Sequence, residues 1–195
     1  LSAAFSDQTL VVAITLLGDL WFLLPLTSVC GLVLYRQGLT RLAHSFLALA
    51  LGSAIINYLL KELFAVARPE SGQWLDSYSF PSGHASAASA IFAMLAVIIC
   101  HSLPQQLRRA IYLLFALPIL GVALSRVALG VHWPLDCLAG LAEGLIAAAL
   151  LRIAARFYGW QDQQTPRTGI TLAAITLSGS ALYIALQLKA ALLLY

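Results

Sequence analysis

The sequence predicts an all-α fold: a polytopic membrane bundle of about six transmembrane helices. Three observations carry this. Of 195 residues, 61% are hydrophobic and only 10% are charged, where a soluble domain carries about 25% charged residues. The mean hydropathy is +0.89. Apolar runs of close to 20 residues recur along the chain, and about 20 is the length that crosses a bilayer core. One compact bundle fits the length, so residues 1–195 read as a single domain. The formal charge of +3 comes from 11 scattered Lys and Arg residues, too sparse for a nucleic-acid surface. The sequence begins at Leu1 without a Met, which predicts either a removed N-terminal piece or a longer chain.

Taken in order, the candidate spans run from about Leu20 to Tyr35, Leu42 to Phe64, Ala85 to Cys100, Ala110 to Val127, Pro134 to Phe157 and Ile170 to Leu194. The first is short unless Thr9 to Leu17 is added, and Gly18-Asp19 interrupts that extension. Thr9 to Leu17 therefore reads as either the first turns of a long helix or a separate helix at the interface. Asp19 is expected to cap the helix that follows it. Helix three opens with Ala85-Ser86-Ala87-Ala88-Ser89-Ala90 and helix five contains Gly140 and Gly144. Small residues at such spacing let membrane helices approach closely. Trp74, Trp133 and Trp160 fall near helix ends and read as interfacial belt residues. Cys30, Cys100 and Cys137 form neither a disulfide framework nor a metal-ligand spacing, and read as small buried apolar residues. His44 and His101 read as interfacial.

Arg36, Arg41, Arg108, Arg109, Arg152, Arg156 and Arg167 all fall on one side of an alternating six-helix path. By the positive-inside rule that side is cytoplasmic, and both termini lie outside. The opposite side receives three polar islands: Lys61 to Arg68, Pro81-Ser82-Gly83-His84, and Ser125 to Asp136. Counting helices brings all three to one face of the bundle. Ionisable residues at the edge of a membrane are costly, and by default they mark function.

Lys61, Arg68 and Arg126 are three cations without a local excess of carboxylates, and the planar fork of Arg suits phosphate oxygens. Ser82-Gly83 stands at a helix start, where backbone N–H groups and the helix dipole also favour an anion. His132 precedes Pro134, a preferred first helical residue, and Asp136 lies one turn on. A carboxylate there can hold one ring nitrogen protonated and leave the other free to attack. His84, beside the anion cradle, suits a general acid. No His, Asp, Glu and Cys cluster has metal-ligand spacing, so neither a metal nor another cofactor is called for. Ser125 is as suited to packing as to function, and Gly130 reads as a backbone-geometry residue. Glu143, two turns below Asp136, reads as a satisfied interior carboxyl bonded to a polar residue such as Asn57.

The pattern Lys61-x6-Arg68-Pro69, then Pro81-Ser82-Gly83-His84, then Ser125-Arg126-x3-Gly130-x-His132-x3-Asp136 resembles the three-part signature of the type 2 phosphatidic acid phosphatase (PAP2) superfamily. That family includes bacterial membrane lipid phosphatases, glucose-6-phosphatase and vanadium haloperoxidases. The resemblance implies that His132 forms a phosphohistidine, that Asp136 orients it and that His84 is the acid. It implies that Lys61, Arg68, Ser82, Gly83 and Arg126 bind phosphate. One departure stands out: the first motif usually follows a third membrane helix, and here it follows the second clear run. The implied function is hydrolysis of a lipid phosphate or pyrophosphate, in the bacterial inner membrane, with the site facing the periplasm or exterior. Undecaprenyl pyrophosphate, phosphatidylglycerol phosphate, phosphatidic acid and lipid A phosphate are all candidate substrates. A phosphotransferase and a non-catalytic lipid-phosphate binding or transport protein remain as alternatives. The membrane helices argue against a haloperoxidase.

Overall fold

The computed structural model describes residues 2–73, 75–160 and 165–194. Among them are seven α-helices: α1 (Ser2–Thr15), α2 (Leu20–Arg36), α3 (Thr40–Phe64), α4 (Gly83–Ser102), α5 (Gln105–Ala128), α6 (Pro134–Phe157) and α7 (Pro166–Ala191). Five of these, α3 to α7, are long and apolar enough to cross a membrane alone. A sixth span arises if α1 and α2 count together, for they are bent by 45° across a short break.

That break is where the sequence wavers, at Gly18-Asp19. Asp19 leaves the helical conformation and its carboxylate accepts from the Trp21 N–H at 3.0 Å, so it caps α2 as expected. The other carboxylate oxygen accepts from the Tyr183 hydroxyl of α7 at 2.7 Å. Val12 and Leu16 are buried against α7 residues such as Ala191 and Leu188. Thr9 to Leu17 is thus not the continuous start of a long helix: α1 ends at Thr15, a single tight turn covers Leu16–Gly18, and α2 begins at Leu20 in a new direction. Because α1 is a helix in its own right, Lys61 ends the third helix of the chain although only the second span.

Helix α4 is the axis of the bundle. In its apolar window 83% of residues are buried, against 17–33% in the other spans. The exposed faces of those spans carry large apolar side chains, such as Leu113 at 70% exposed and Phe157 at 81%, which is a lipid-facing surface. Helix α6 packs on α4 through its glycines. A Cβ at Gly140 would stand 2.6 Å from the Ser82 carbonyl oxygen, and one at Gly144 would strike the α4 backbone at Ser86 and Ala90. The close approach lets the Ser89 hydroxyl bond the Leu141 carbonyl at 2.9 Å. The cationic ends also gather. Thr168 of α7 donates to Gln37 beyond α2 at 2.6 Å, placing Arg36 and Arg167 at one end.

Trp160 corrects an expectation. It is only 7% exposed, its ring stacked on Tyr158 at 5.2 Å, so it closes the core where an interfacial belt residue was expected. Trp133 is 49% exposed and donates to the Ala67 carbonyl; Trp74 lies outside the described residues. All three cysteines are free and buried.

Candidate active site

The C-terminal ends of α3 and α5 and the N-terminal ends of α4 and α6 bring the three polar islands together. Pro134 is the first residue of α6, and Asp136, at the third position, accepts from the Trp133 N–H at 2.8 Å. This cap fixes the carboxylate beneath the residues that enter the helix. The same oxygen, Oδ2, faces His132 Nδ1 at 3.4 Å. It also accepts from the Ser79 hydroxyl, which lies 3.4 Å from Nδ1. Ser79 was not singled out in the sequence; it is completely buried and completes a triangle with His132 and Asp136.

The other ring nitrogen faces Arg68, whose Nη1 lies 3.2 Å from His132 Nε2. A guanidinium can only donate, so Nε2 is the unprotonated nitrogen and the proton sits on Nδ1, towards Asp136. Burial, then the positive fields of Arg68, Arg126 and Lys61, hold the His132 imidazole far below its usual pKa of 6.5. The ring is therefore neutral, with its lone pair aimed among cations. Arg68 is itself held in place, donating from Nε to the Ser77 carbonyl at 2.7 Å and from Nη1 to the Val131 carbonyl at 2.9 Å.

Arg126, in the last turn of α5, is 2% exposed. Its Nη1 donates at 3.0 Å to the hydroxyl of Thr15, so the last residue of α1 braces a site cation. Lys61 donates to the Tyr78 and Ser79 carbonyls at 2.8 and 3.4 Å. Ser82 is fully buried at the N-cap of α4, and its hydroxyl makes no capping bond. At Gly83 an added Cβ would sit 3.4 Å from Asn57 Oδ1 and 3.9 Å from Lys61 Cε. His84 follows in the first turn of α4, backed by Gly18 and within the electrostatic reach of Arg126, Arg68, Lys61 and His132. All eight residues singled out for the site thus converge.

Gly130 takes the backbone-geometry role its sequence context suggested, while Ser125, equally suited to packing and function by sequence, bonds within its own helix. Gly130 adopts φ +67°, and a Cβ there would strike the Ser71 side chain. Ser125 donates to the Val122 carbonyl of its own helix at 2.7 Å. Among the described residues no group of three His, Cys, Asp or Glu side chains could hold a metal ion.

A cavity of about 420 Å³ leads from Gly83 and His84 downward between α2 and α3, with α4 as its floor. It reaches Leu47, ten residues below Asn57, or about 15 Å along the helix. Its walls are chiefly apolar.

Comparison with known proteins agrees with this architecture. The sequence profile of the PAP2 superfamily matches residues 41–161. Phosphatidylglycerophosphatase B of Bacillus subtilis (strain 168) is 32% identical over 146 residues, covering 71% of this chain and 70% of that protein. YbjG, a candidate undecaprenyl-diphosphatase of Escherichia coli (strain K12), is 32% identical over 152 residues, covering 72% and 71%. A crystal structure of a transmembrane PAP2 type phosphatidylglycerolphosphate phosphatase from Bacillus subtilis superposes with a TM-score of 0.67 at 27% identity, covering 80% of this chain and 88% of that one. With its multiple spans and these relatives the chain is a bacterial membrane protein, and it belongs to the PAP2 superfamily.

Proposed function

We propose that this protein is a membrane lipid phosphatase that hydrolyses a phosphate monoester or pyrophosphate of a membrane lipid through a phosphohistidine. The observation that carries the reading is the divided environment of His132. Asp136 takes the proton side of the ring, and Arg68, a phosphate-binding type of side chain, faces the lone-pair side. A phosphate drawn to Arg68, Arg126 and Lys61 meets a nucleophile already deprotonated and oriented. The two relatives, by their names, act on a phosphatidylglycerophosphate and an undecaprenyl diphosphate. The cavity between α2 and α3 gives a lipid chain a path from the phosphate to the bilayer.

In the first step Nε2 of His132 attacks phosphorus, and the bond to the leaving oxygen breaks. His84 donates its proton to that oxygen, so an alcohol or a phosphate departs. Asp136 stabilises the positive charge that the phosphorylated ring acquires. Lys61, Arg68, Arg126, the Ser82 hydroxyl and the Gly83 N–H hold the three equatorial oxygens, where phosphoryl transfer places its charge. In the second step His84, now neutral, takes a proton from water. The resulting hydroxide attacks phosphorus, the P–N bond breaks, and inorganic phosphate leaves with His132 restored.

The orientation follows from charge. Arg36, Arg108, Arg152 and Arg167 belong on the cytoplasmic side of the inner membrane, with the site on the periplasmic or exterior side. Residues 1–195 act as one domain. Phosphate release by purified protein from phosphatidic acid, phosphatidylglycerophosphate and undecaprenyl pyrophosphate, with and without EDTA, is the test. Release from at least one lipid, unaffected by EDTA and blocked by vanadate, is expected. Binding of these lipids without any release refutes the reading.

A further inference from the structure

The cavity below the phosphate cradle is not uniformly apolar. Where it joins the cradle, Ser53, Asn57 and Ser86 line it. Behind them, on α6, stands Glu143, a carboxyl inside a membrane span that the mechanism does not use. Its Oε2 accepts from Asn57 Nδ2 at 2.9 Å and its Oε1 from the Ser53 hydroxyl at 3.3 Å, with Ser53 and Ser86 hydroxyls 3.5 Å apart. The sequence suggested the Glu143–Asn57 contact, but not that three of the four residues face the path of the substrate. The polar groups lower in the cavity are different in kind. Thr27 and Ser28 return their hydroxyls to the Leu23 and Leu24 carbonyls of their own helix.

An intramembrane carboxyl is costly, and one that faces a cavity marks a substrate path. Here it orients its neighbours. With one amide hydrogen on Glu143, Asn57 has a second N–H in hand. With its proton on Glu143, Ser53 presents oxygen lone pairs. The set therefore offers donors and acceptors together where the cavity meets the cradle. Ser53 lies two helical turns below Lys61, about 12 Å, and Asn57 one turn, about 6 Å.

Lipid phosphates differ at that distance. In a glycerol-based lipid, the carbons next to the phosphate carry hydroxyl or ester oxygens that need hydrogen-bond partners. In a polyprenyl phosphate, hydrocarbon begins at the first carbon. Packing hydrocarbon against Ser53, Asn57 and Glu143 leaves buried polar groups without partners, which a site made for hydrogen bonding strongly rejects.

We propose that Ser53, Asn57 and Ser86, oriented by Glu143, form a subsite for the oxygen-bearing glycerol segment of a glycerolipid phosphate, and that the protein prefers this class to polyprenyl phosphates. The proposal rests on the lipid phosphatase reading and narrows it. Two monoesters with alkoxide leaving groups separate the classes: dioctanoyl phosphatidic acid and farnesyl phosphate. Wild type is expected to show the higher kcat/KM on the first. Ser53→Ala and Asn57→Leu should each lower the ratio of the two kcat/KM values about tenfold, the worth of one hydrogen bond. A ratio unchanged in both variants overturns the subsite, as does a wild-type preference for farnesyl phosphate. Release from neither lipid by wild type overturns the subsite, and if undecaprenyl pyrophosphate also yields no phosphate the phosphatase reading falls with it.

A measurement on wild type alone guards against a variant that does not fold. Dioctanoylglycerol and farnesol, the two dephosphorylated products, compete against hydrolysis of nitrophenyl phosphate. The subsite predicts that dioctanoylglycerol inhibits at a concentration at least about tenfold lower. Equal inhibition, or tighter inhibition by farnesol, overturns it.

Discussion

Replacing Asp136 by Asn tests whether the carboxylate acts through charge or merely through shape. The amide oxygen can still accept from the Trp133 N–H and the Ser79 hydroxyl, so the cap of α6 survives. What is lost is a full negative charge 3.4 Å from His132 Nδ1. In the first step the ring passes from neutral to positively charged. At an effective dielectric of about 20, that separation is worth about 5 kcal/mol of attraction, or between three and four powers of ten in rate. The Asp136 carboxylate bonds Trp133, Ser79 and His132, so the loss should fall on kcat and leave KM within about threefold. Steady-state phosphate release, with vanadate inhibition as a measure of anion binding, reads both quantities. A kcat loss below about tenfold would refute the electrostatic role. So would a loss carried by KM and vanadate affinity, which would make Asp136 a support for the binding cradle.

Three further outcomes follow. His84→Ala should cost about 10²–10⁴-fold on an alkyl phosphate, the usual worth of a general acid. It should cost much less on a pyrophosphate or nitrophenyl phosphate, whose leaving groups are weak bases; equal losses would make His84 a binding residue only. In a variant lacking Cys30, Cys100 and Cys137, single cysteines at the exposed positions Gln73 and Gln105 should report sidedness in intact cells. An impermeant thiol reagent should label position 73 alone, and labelling of position 105 alone would invert the topology. The third concerns acid. Folded His132 stays neutral well below 6.5, held down by burial and its cationic neighbours, whereas the unfolded ring takes up a proton near 6.5. Its contribution to stability is therefore fully present above pH 6.5 and falls by up to about 1.4 kcal/mol per unit below it. His132→Gln should flatten the fall of the unfolding midpoint between pH 6.5 and 5, and an identical fall would contradict the buried neutral ring.

The site was largely legible because charge is scarce in this chain. When only a tenth of residues are charged, each polar island stands out, and counting spans suffices to bring Lys61, His84, Arg126 and His132 to one end. Contacts across distant segments were not legible. Ser79 is an ordinary serine in a loop until the chain folds it onto Asp136, 57 residues away. Thr15 reaches Arg126 across 111 residues, from a stretch whose length did not decide between spanning and lying flat. Trp160 misled for a similar reason: a tryptophan at a helix end suits an interface or a closing core, and only its burial in the folded core cluster decides for the core. Glu143 was legible as satisfied, since a carboxyl there needs a partner, but the cavity beside it depends on how far α2 and α3 splay.

The covalent intermediate is the most direct measurement of the central claim. Wild-type protein would be mixed with a lipid phosphate labelled with ³²P, quenched in alkali, in which a phosphorus–nitrogen bond at histidine persists, and mapped by proteolysis. The account predicts label on the peptide containing His132, accumulating within one turnover, chased by water as inorganic phosphate, and absent in His132→Ala. Label on His84 or on a hydroxyl side chain, or unchanged turnover in His132→Ala, would contradict it.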